Sequence, residues 1–290
     1  MAHALLVRNP DGYYEVEPKP SADALAAFYR DRYYGSRDGR SQYAFSYTPE
    51  ELEHKRISPA EAERVHGGPP GRLLEVGVGE GFTLDWFAGR GWDVRGLDYT
   101  DDGLREFFPE RLDRLTTGDA FQLLDQILAG GEQFDLVICN NVLEHVLDPP
   151  GLLRRLHGLV APGGLLRLSV PNDGSWLQHE VVARGLADAE FWVNAPEHLS
   201  YFDAQSLRRV LENNGWVVAD LLSEFPVDLF LLNPDSAYTR DQTKGRNCHF
   251  ARVAFETALW RRSLDELMTF RRGCAAAGVG RDLVAYARPA

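Results

Sequence analysis

Cysteine and long apolar segments are the features that this chain most clearly lacks. Its 290 residues contain three cysteines, Cys139, Cys248 and Cys274, and an odd number without a CxxC pair argues against a disulfide framework. The apolar run near the N-terminus is too short for a signal-peptide core, and no later run approaches the roughly 20 residues of a membrane span. We therefore predict a cytoplasmic protein that does not enter a membrane.

Basic residues are scarce as well. The chain has 31 lysines and arginines against 43 aspartates and glutamates, a formal charge of -12. Such a charge repels phosphate backbones and anionic lipid surfaces, so nucleic acid is not an expected partner. One locally basic run remains, which is either a solvated surface or a site for an anionic substrate, and its members are Arg240, Lys244, Arg246, His249 and Arg252.

What the chain does have is an alternation of apolar strand patterns with helix-period segments, beginning after a cluster of glycine and proline. The predicted strands are residues 72–76, 93–97, 114–117, 134–139, 165–170, 216–224 and 281–287. The predicted helices are residues 82–90, 102–108, 121–128, 151–159 and 203–214. Several strands are nearly continuous in apolar residues, as parallel strands covered on both faces should be. The pattern predicts an α/β fold.

The same pattern divides the chain into four parts. They are a helical N-terminal cap at residues 1–70, a cofactor-binding core at 71–224, a helical insertion at 225–280 and a final core strand at 281–290. The cap includes an amphipathic stretch that contains Phe28, Tyr29, Tyr33 and Tyr34. The insertion has one long helix-period segment and leaves the sheet at its ligand-binding edge, so we expect it to form a substrate lid.

A glycine-rich turn follows the first core strand. Gly77, Gly79 and Gly81 remove the side chains that would keep backbone amides away from a ligand at the start of the next helix. Phe82 stands near the place where a dinucleotide fingerprint has its third glycine, which disfavours NAD. Asp98 follows about 20 residues later, where a carboxylate can accept hydrogen bonds from ribose hydroxyls. These residues predict a pocket for a nucleotide-sized cofactor.

Later segments occur in an order that resembles the class I S-adenosylmethionine-dependent methyltransferases over roughly residues 70 to 220. They are Gly118-Asp119-Ala120, Asn140-Asn141-Val142-Leu143-Glu144-His145-Val146 and Pro162-Gly163-Gly164. The resemblance implies a Rossmann-like, doubly wound sheet of seven strands, six parallel and one antiparallel. It implies S-adenosyl-L-methionine as cofactor, S-adenosyl-L-homocysteine as product and an adenine contact at Asp119. The implied cofactor-binding residues are Glu75, Gly77, Gly79, Gly81, Asp98, Tyr99, Asp119, Ala120, Asn140 and Asn141.

Two strings narrow the resemblance to a subgroup with small-molecule acceptors. Residues 143–146 and the string Pro196-Glu197-His198-Leu199-Ser200-Tyr201-Phe202 resemble ubiquinone-biosynthesis, natural-product and surface-sugar methyltransferases. A neutral imidazole can accept a hydroxyl proton near neutral pH, so His198 and His145 are the candidate catalytic bases. The candidate substrate residues are Tyr201, Asn172, Arg240, Lys244 and His249. No grouping has convincing zinc spacing, and we predict no required metal.

We therefore expect O-methylation of a sugar, a nucleotide-linked sugar or another anionic metabolite of natural-product type. N-methylation of a small amine is the alternative for the acceptor atom. A non-catalytic S-adenosylmethionine-binding protein, an NAD-dependent oxidoreductase and an RNA methyltransferase are the rival classes. The acidic charge opposes the RNA enzyme, and a homodimer is compatible with the sequence.

Overall fold

The computed structural model describes residues 5–28 and 46–290. Tyr29, Tyr33 and Tyr34 of the predicted amphipathic stretch lie outside the described residues. The strands are β1 Leu5–Arg8, β2 Tyr14–Glu17, β3 Arg72–Val76, β4 Asp93–Asp98, β5 Leu115–Thr117, β6 Phe134–Asn140, β7 Val160–Pro171, β8 Ser200–Tyr201, β9 Trp216–Ser223 and β10 Asp282–Pro289. The helices are α1 Ala22–Phe28, α2 Pro49–His54, α3 Ile57–His66, α4 Phe82–Ala88, α5 Asp102–Phe107, α6 Ala120–Ala129, α7 Pro149–Leu159, α8 Trp176–Ala183, α9 Ala204–Asn213, α10 Gly245–Arg262 and α11 Leu264–Ala276.

Seven strands form the main sheet in the order β5-β4-β3-β6-β7-β10-β9. The ladders among β3, β4, β5, β6 and β7 are parallel, whereas β10 runs antiparallel to both β7 and β9. Six strands therefore share one direction and one opposes them, which confirms the predicted fold class. The order of strands reverses between β3 and β6, so the carboxyl ends of these two strands flank the crevice in which open α/β sheets bind ligands.

The sheet is buried on both faces, as its apolar strands require. Leu74 and Val76 of β3 point to one side, into a core that α6, α7 and α9 complete. Leu73, between them, points to the other side and packs in a core with α3, α4 and α11. Burial on two faces fixes the register of the strand, because a shift by one residue would exchange the faces.

The N-terminal part contains the helices α1 to α3 and also a feature that the sequence pattern did not predict. β1, β2 and β8 form a small antiparallel sheet, in which Tyr14 pairs with Tyr201. The Tyr13 ring packs on Phe202 with 4.7 Å between ring centroids. Strands this short give little periodic signal, and their partner lies far along the chain. The small sheet brings β2 beside the segment that carries His198.

The insertion is built from short 3-10 turns followed by α10 and α11. The predicted long helical segment is two helices, because Ser263 is extended (φ -168°) and its hydroxyl accepts from the Glu266 amide to cap α11. Beneath them Arg271 is buried between Glu61 and Glu256, which ties the insertion to α3. Among the residues that the structure describes, no helix combines the length and apolarity needed to cross a membrane.

Candidate active site

The glycine turn after β3 has the backbone that its sequence requires. Gly77 and Gly79 have φ angles of +80° and +56°, in the left-handed region that favours glycine. A Cβ on Gly77 would lie 2.6 Å from the Cγ2 of Val142, whereas a Cβ on Gly79 would meet no described atom within 4 Å. Gly77 therefore permits close packing against the end of β6, and Gly79 faces open space in which a ligand can approach the backbone.

Asp98 links this turn to the end of β4. Its Oδ2 accepts from the Gly79 amide at 2.8 Å and its Oδ1 from the Thr100 amide at 3.2 Å. Burial raises the pKa of Asp98 above its ordinary value, against the lowering effect of these amide hydrogen bonds. The amides of Tyr99 and Val78 also contribute hydrogen bonds, so the carboxyl group is held in one orientation at the edge of the turn.

A cavity of about 610 Å³ opens at these residues, a size typical of small-molecule and cofactor sites. Its walls include eight of the predicted cofactor residues, namely Gly77, Gly79, Asp98, Tyr99, Asp119, Ala120, Asn140 and Asn141. Ala22 and Leu25 of α1 also line it. The sequence pattern did not identify these two residues, since only the packing of α1 brings them to the core.

Glu75 and Gly81 are the predicted cofactor residues that do not belong to the described lining. Glu75 is 3% exposed, and burial, with the Asp98 charge second, raises its pKa to about 8. Its carboxyl group accepts from the side chain of Thr83 and the amide of Leu84. Through these hydrogen bonds Glu75 stabilises the first turn of α4. Gly81 is the N-cap residue of the same helix.

The asparagines at the end of β6 are fixed by β7. The Asn141 amide donates to the Ser169 carbonyl at 2.9 Å, and the Ser169 hydroxyl donates to Asn141 Oδ1 at 2.9 Å. Asn141 has a φ of +51°, which turns the chain out of the strand. Buried Arg167 donates to Asn140 Oδ1. Hydrogen bonds from Arg167 and Ser169 therefore position the side chains of Asn140 and Asn141 at the cavity.

Asp119 stands on the opposite wall, at the start of α6. Its Oδ1 accepts from the Gln122 amide at 3.0 Å and caps the helix. The cap uses Oδ1 and orients the carboxylate. Asp119 lines the cavity together with Phe121, so an acidic and an aromatic group meet on this wall.

A second cavity, of about 540 Å³, lies under the two segments that follow β7 and β9. Its described lining residues are Asp173, Gln178, Phe191, Trp192, Val193, Asn194, His198, Val227, Asp228, Tyr238, Thr239, Gly245, Cys248, His249, Arg252 and Arg281. The aromatic residues provide apolar walls, and the charged residues include acids and bases. This cavity is thus suited to a polar molecule with an apolar face.

Two histidines lie between the cavities. His145 lines the first and His198 the second, and their rings are 4.8 Å apart and nearly perpendicular, at 84°. His145 Nδ1 is 2.7 Å from the Glu197 carbonyl oxygen, so Nδ1 carries the proton and donates it. Burial, with His198 second, lowers the pKa of His145 to about 4. His145 is therefore neutral near neutral pH, and the pair stands where the linings of the two cavities are adjacent.

His198 faces two acidic groups. Its Nδ1 is 3.8 Å from Asp173 Oδ2 and has no hydrogen-bond partner in the described part of the chain. Glu144 is 1% exposed, burial raises its pKa well above the ordinary value, and its Oε1 is 3.7 Å from His145 Nε2. One potential ligating atom each of Glu144, His145 and His198 lies within 4.8 Å of the others. The absence of a required metal stays a prediction.

Two of the predicted substrate residues lie behind the cavity walls. The Tyr201 hydroxyl donates to the His198 carbonyl at 3.0 Å and accepts from the Asn194 amide at 3.2 Å. Asn172 is 2% exposed, and its Nδ2 donates to the Gly280 carbonyl at 3.1 Å. Both side chains therefore hold the backbone of cavity segments, and neither is in the described lining.

The basic run is divided between the surface and the second cavity. Arg240 donates to the Gly185 carbonyl, and Lys244 to the Pro234 carbonyl at 3.0 Å, and neither belongs to the described lining. His249 does line the cavity, with Nε2 2.9 Å from Glu51 Oε1, and so does Arg252. Arg281 also lines this cavity. The sequence pattern did not identify it, because it places residue 281 within the last predicted strand.

Comparisons with known proteins agree with this geometry. The chain matches the family described as Methyltransferase domain over residues 47–221, more than half of its length. A ubiquinone biosynthesis O-methyltransferase of Photorhabdus laumondii is 30% identical over 172 residues, which are 53% of this chain and 70% of that protein. The enzyme of the same name from Escherichia coli O7:K1 is 31% identical over 174 residues, again 53% of this chain and 70% of that protein.

Solved structures show the same fold at lower identity. The Burkholderia thailandensis 1,6-didemethyltoxoflavin-N1-methyltransferase, with 1,6-didemethyltoxoflavin and S-adenosylhomocysteine bound, has a TM-score of 0.54 and 17% identity, covering 96% of this chain and 94% of that one. The [4+2]-cyclase SpnF has a TM-score of 0.51 and 16% identity, covering 94% and 98%. The chain therefore belongs to the methyltransferase-domain family, which confirms the predicted class of S-adenosylmethionine-dependent methyltransferases and the prediction of an enzyme.

Proposed function

We propose that the enzyme methylates a hydroxyl group of a small molecule bound in the second cavity. The acceptor is a sugar, a nucleotide-linked sugar or another anionic metabolite of natural-product type. The observation that carries this proposal is the pair His145 and His198, which stands where a cofactor-sized cavity meets a second, polar cavity. A donor bound in one cavity and an acceptor bound in the other would meet beside this pair, where an imidazole can reach the acceptor hydroxyl.

The first cavity fits S-adenosylmethionine. Open space at Gly79 allows a nucleoside to approach the backbone, and the Asp98 carboxyl group is oriented to accept from ribose hydroxyls. Asp119 lines the same cavity with Phe121, and we assign it as the acceptor for the adenine amino group. When bound, the cofactor supplies an electrophilic methyl group on a sulfonium. The chain's own contribution would be to hold the nucleoside with Gly79, Asp98 and Asp119.

Methyl transfer from a sulfonium disperses positive charge, so alignment and exclusion of water matter more than strong acids. Ala22 and Leu25 of α1 cover the cofactor cavity, and Phe191 and Trp192 form an apolar wall of the acceptor cavity. We assign residues 1–70 as a cap on the cofactor and residues 225–280 as a lid over the acceptor. In this assignment the insertion determines the specificity for the acceptor, and the core with its N-terminal cap binds the cofactor.

His198 is the proposed base. With the Nδ1 proton directed towards Asp173, Nε2 is free to accept the hydroxyl proton as the acceptor oxygen attacks. The Asp173 carboxylate stabilises the imidazolium that results. His145 is the second candidate, although its pKa of about 4 makes it a weak base. N-methylation of a small amine is the alternative reaction, because the carboxylates of Asp173 and Asp228 line the same cavity and could hold an ammonium group.

A calorimetric titration tests the cofactor site. S-adenosylhomocysteine should bind the wild-type protein, and Asp98→Ala should weaken binding about 10- to 100-fold, because hydrogen bonds to a charged group contribute roughly 1.5–3 kcal/mol. Asp102→Ala is the matched control, since Asp102 is an acid on the neighbouring helix that is outside the cavity lining. No binding to the folded wild-type protein would defeat the proposal.

Methyl transfer itself is tested with labelled S-adenosylmethionine and fractionated metabolite pools. His198→Ala should lower turnover about 10²- to 10⁴-fold, the usual contribution of general base catalysis, with unchanged affinity for S-adenosylhomocysteine. If His198→Ala and His145→Ala both retain near-normal turnover, neither histidine is the base. A labelled product in which nitrogen carries the methyl group would favour the alternative reaction.

A further inference from the structure

The second cavity contains a cation that the proposed reaction does not use. Arg281 lines this cavity and is accessible to solvent. Within residues 5–28 and 46–290, its guanidinium group makes no hydrogen bond and no ion pair. Arg252, on the same cavity, has a partner, since its Nη1 lies 3.4 Å from Glu224 Oε2. An unpaired guanidinium in a concave site is a group to which a carboxylate or phosphate can bind with two hydrogen bonds.

The backbone at Arg281 is held rigidly. The Asn172 amide donates to the Arg281 carbonyl at 2.9 Å, and the Asn172 side chain donates to the Gly280 carbonyl. Gly280 has a φ of +112°, and a Cβ there would lie 2.1 Å from Ser223 Oγ. The side chain thus starts from a fixed point at the beginning of β10, and less conformational freedom is lost when it binds a ligand.

The surrounding charges restrict which anions fit. Asp282, Asp173 and Asp228 all interact with Arg281 electrostatically, but none is paired with it. Asp228 is already engaged, since it accepts from Tyr238 at 2.7 Å and from Gln178 at 3.0 Å. These acids lower the positive electrostatic potential of the cavity, which disfavours ligands with several negative charges. They favour a ligand with one anionic group at Arg281 and hydroxyl donors towards Asp173.

We propose that Arg281 is the anion subsite of the acceptor cavity. It binds the carboxylate or phosphate of a hydroxylated acceptor, and so places one of its hydroxyl groups at His198, which lines the same cavity. This inference rests on the proposed function, because it names the chemical class of that acceptor. The proposed anion site is therefore at the start of β10 and not in the basic run of the insertion, where Arg240 and Lys244 donate to backbone carbonyls.

Three ligands that share a sugar ring test the subsite by direct binding. D-glucuronate, D-glucose 6-phosphate and neutral D-glucose are titrated into the enzyme loaded with S-adenosylhomocysteine. At least one anionic sugar should bind about 10- to 100-fold more tightly than glucose, as expected for charge-assisted hydrogen bonds. Preference for glucuronate identifies the partner group as a carboxylate, and preference for glucose 6-phosphate identifies it as a phosphate.

Arg281→Met should reduce binding of the anionic sugar to the level of glucose, and Arg281→Lys should restore part of it. Arg262→Met is the matched control, because Arg262 is an arginine of the insertion whose side chain is 75% exposed and lies outside the described lining. This variant should bind as the wild type does. Unchanged affinity for S-adenosylhomocysteine shows that each variant is folded. Equal binding of all three sugars by the wild type, or their failure to bind at tens of millimolar, overturns the proposal, as does undiminished binding by Arg281→Met.

The labelled-methyl assay separates this inference from the proposed function. Labelled product should be retained by an anion exchanger at neutral pH. Labelled product that elutes with neutral compounds overturns the anion subsite but supports the methyl transfer. If no fraction yields product although the cofactor binds, the proposed function fails, and the sugar titrations still decide whether Arg281 binds an anion.

Discussion

Replacing Arg271 by methionine should destabilise the protein strongly, because this arginine joins two buried carboxylates. Arg271 is 1% exposed, and its guanidinium lies 2.9 Å from Glu61 Oε2 and 2.6 Å from Glu256 Oε1. Methionine has a similar length but leaves two acids in the interior without their cation. Removing one partner from a buried ion pair costs roughly 3–5 kcal/mol. For a chain of this size that loss corresponds to a decrease in Tm of roughly 10 °C.

The penalty should also depend on pH. In the wild type, burial raises the pKa of Glu256, but Arg271 and His54 lower it further, to about 2. This depressed pKa stabilises the fold above the ordinary pKa of 4.5, and the stabilisation is lost as pH falls through about 2. Without Arg271, burial dominates: the pKa of Glu256 rises above 4.5, and that of Glu61, which burial already raises in the wild type, rises further. Their protonated forms then persist in the folded state, so the variant loses stability as pH rises and the penalty is larger at pH 8 than at pH 5.

Urea unfolding at both pH values measures this effect, and the next residue is its control. Arg272 pairs with Asp220 at 2.7 Å, but its side chain is 45% exposed, and an exposed ion pair contributes about 0–1 kcal/mol. Arg272→Met should therefore change the free energy of unfolding little. A penalty for Arg271→Met as small as that for Arg272→Met, or one that is larger at pH 5 than at pH 8, would refute the electrostatic argument.

Further predictions concern the cofactor side of the molecule. Burial raises the pKa of Glu75 from 4.5 to about 8, so its contribution to the free energy of unfolding is complete below pH 4.5 and is lost as pH rises through 8. In Glu75→Gln the free energy of unfolding should decline less steeply between these pH values, by up to about 1.4 kcal/mol per pH unit. Urea unfolding at several pH values measures this slope. Gly77→Ala and Gly91→Ala both place alanine at positive φ, but only the first meets a neighbouring methyl group at 2.6 Å; Gly77→Ala should cost about 1–3 kcal/mol more and weaken S-adenosylhomocysteine binding, whereas equal losses would contradict the packing argument. S-adenosylhomocysteine at 100 times its Kd should raise the wild-type free energy of unfolding by about 2.7 kcal/mol, and at that same concentration the gain should be much smaller in Asp98→Ala.

The cofactor cavity could be predicted from the sequence because local chemistry determines most of it. Gly77 and Gly79 lie in a turn whose shape depends on adjacent residues, and Asp98 ends the next strand. Parallel strands deliver their carboxyl ends to one edge of the sheet, so residues distant in sequence converge without any knowledge of side-chain packing. Glu75 shows the limit of this reasoning. It is adjacent to the turn, yet the alternation of the strand directs its side chain beneath the cavity.

The acceptor cavity could not be predicted in the same way. Asn172 and Tyr201 follow the correct strands, but whether such a side chain enters the cavity or supports its wall depends on partners far along the chain. For Asn172 that partner is Gly280, and for Tyr201 it is the loop before His198. No periodic pattern encodes such pairings. Arg281 was missed for the same reason, since a strand assignment does not reveal that the side chain at its edge opens into a cavity.

The position of His198 depends on both ends of the chain. β8 begins two residues after His198 and pairs with β2, while the preceding segment is held where the Glu197 carbonyl meets His145 Nδ1. On the other side, Asn172 connects β7 to Gly280 and Arg281. The N-terminal sheet therefore supports the proposed base, and the last strand supports the proposed anion site. Changes in β1 or β2, or at Arg281, should alter acceptor binding while the Gly77–Asp98 cofactor site remains intact, because neither the strands of the small sheet nor Arg281 take part in the described lining of that cavity.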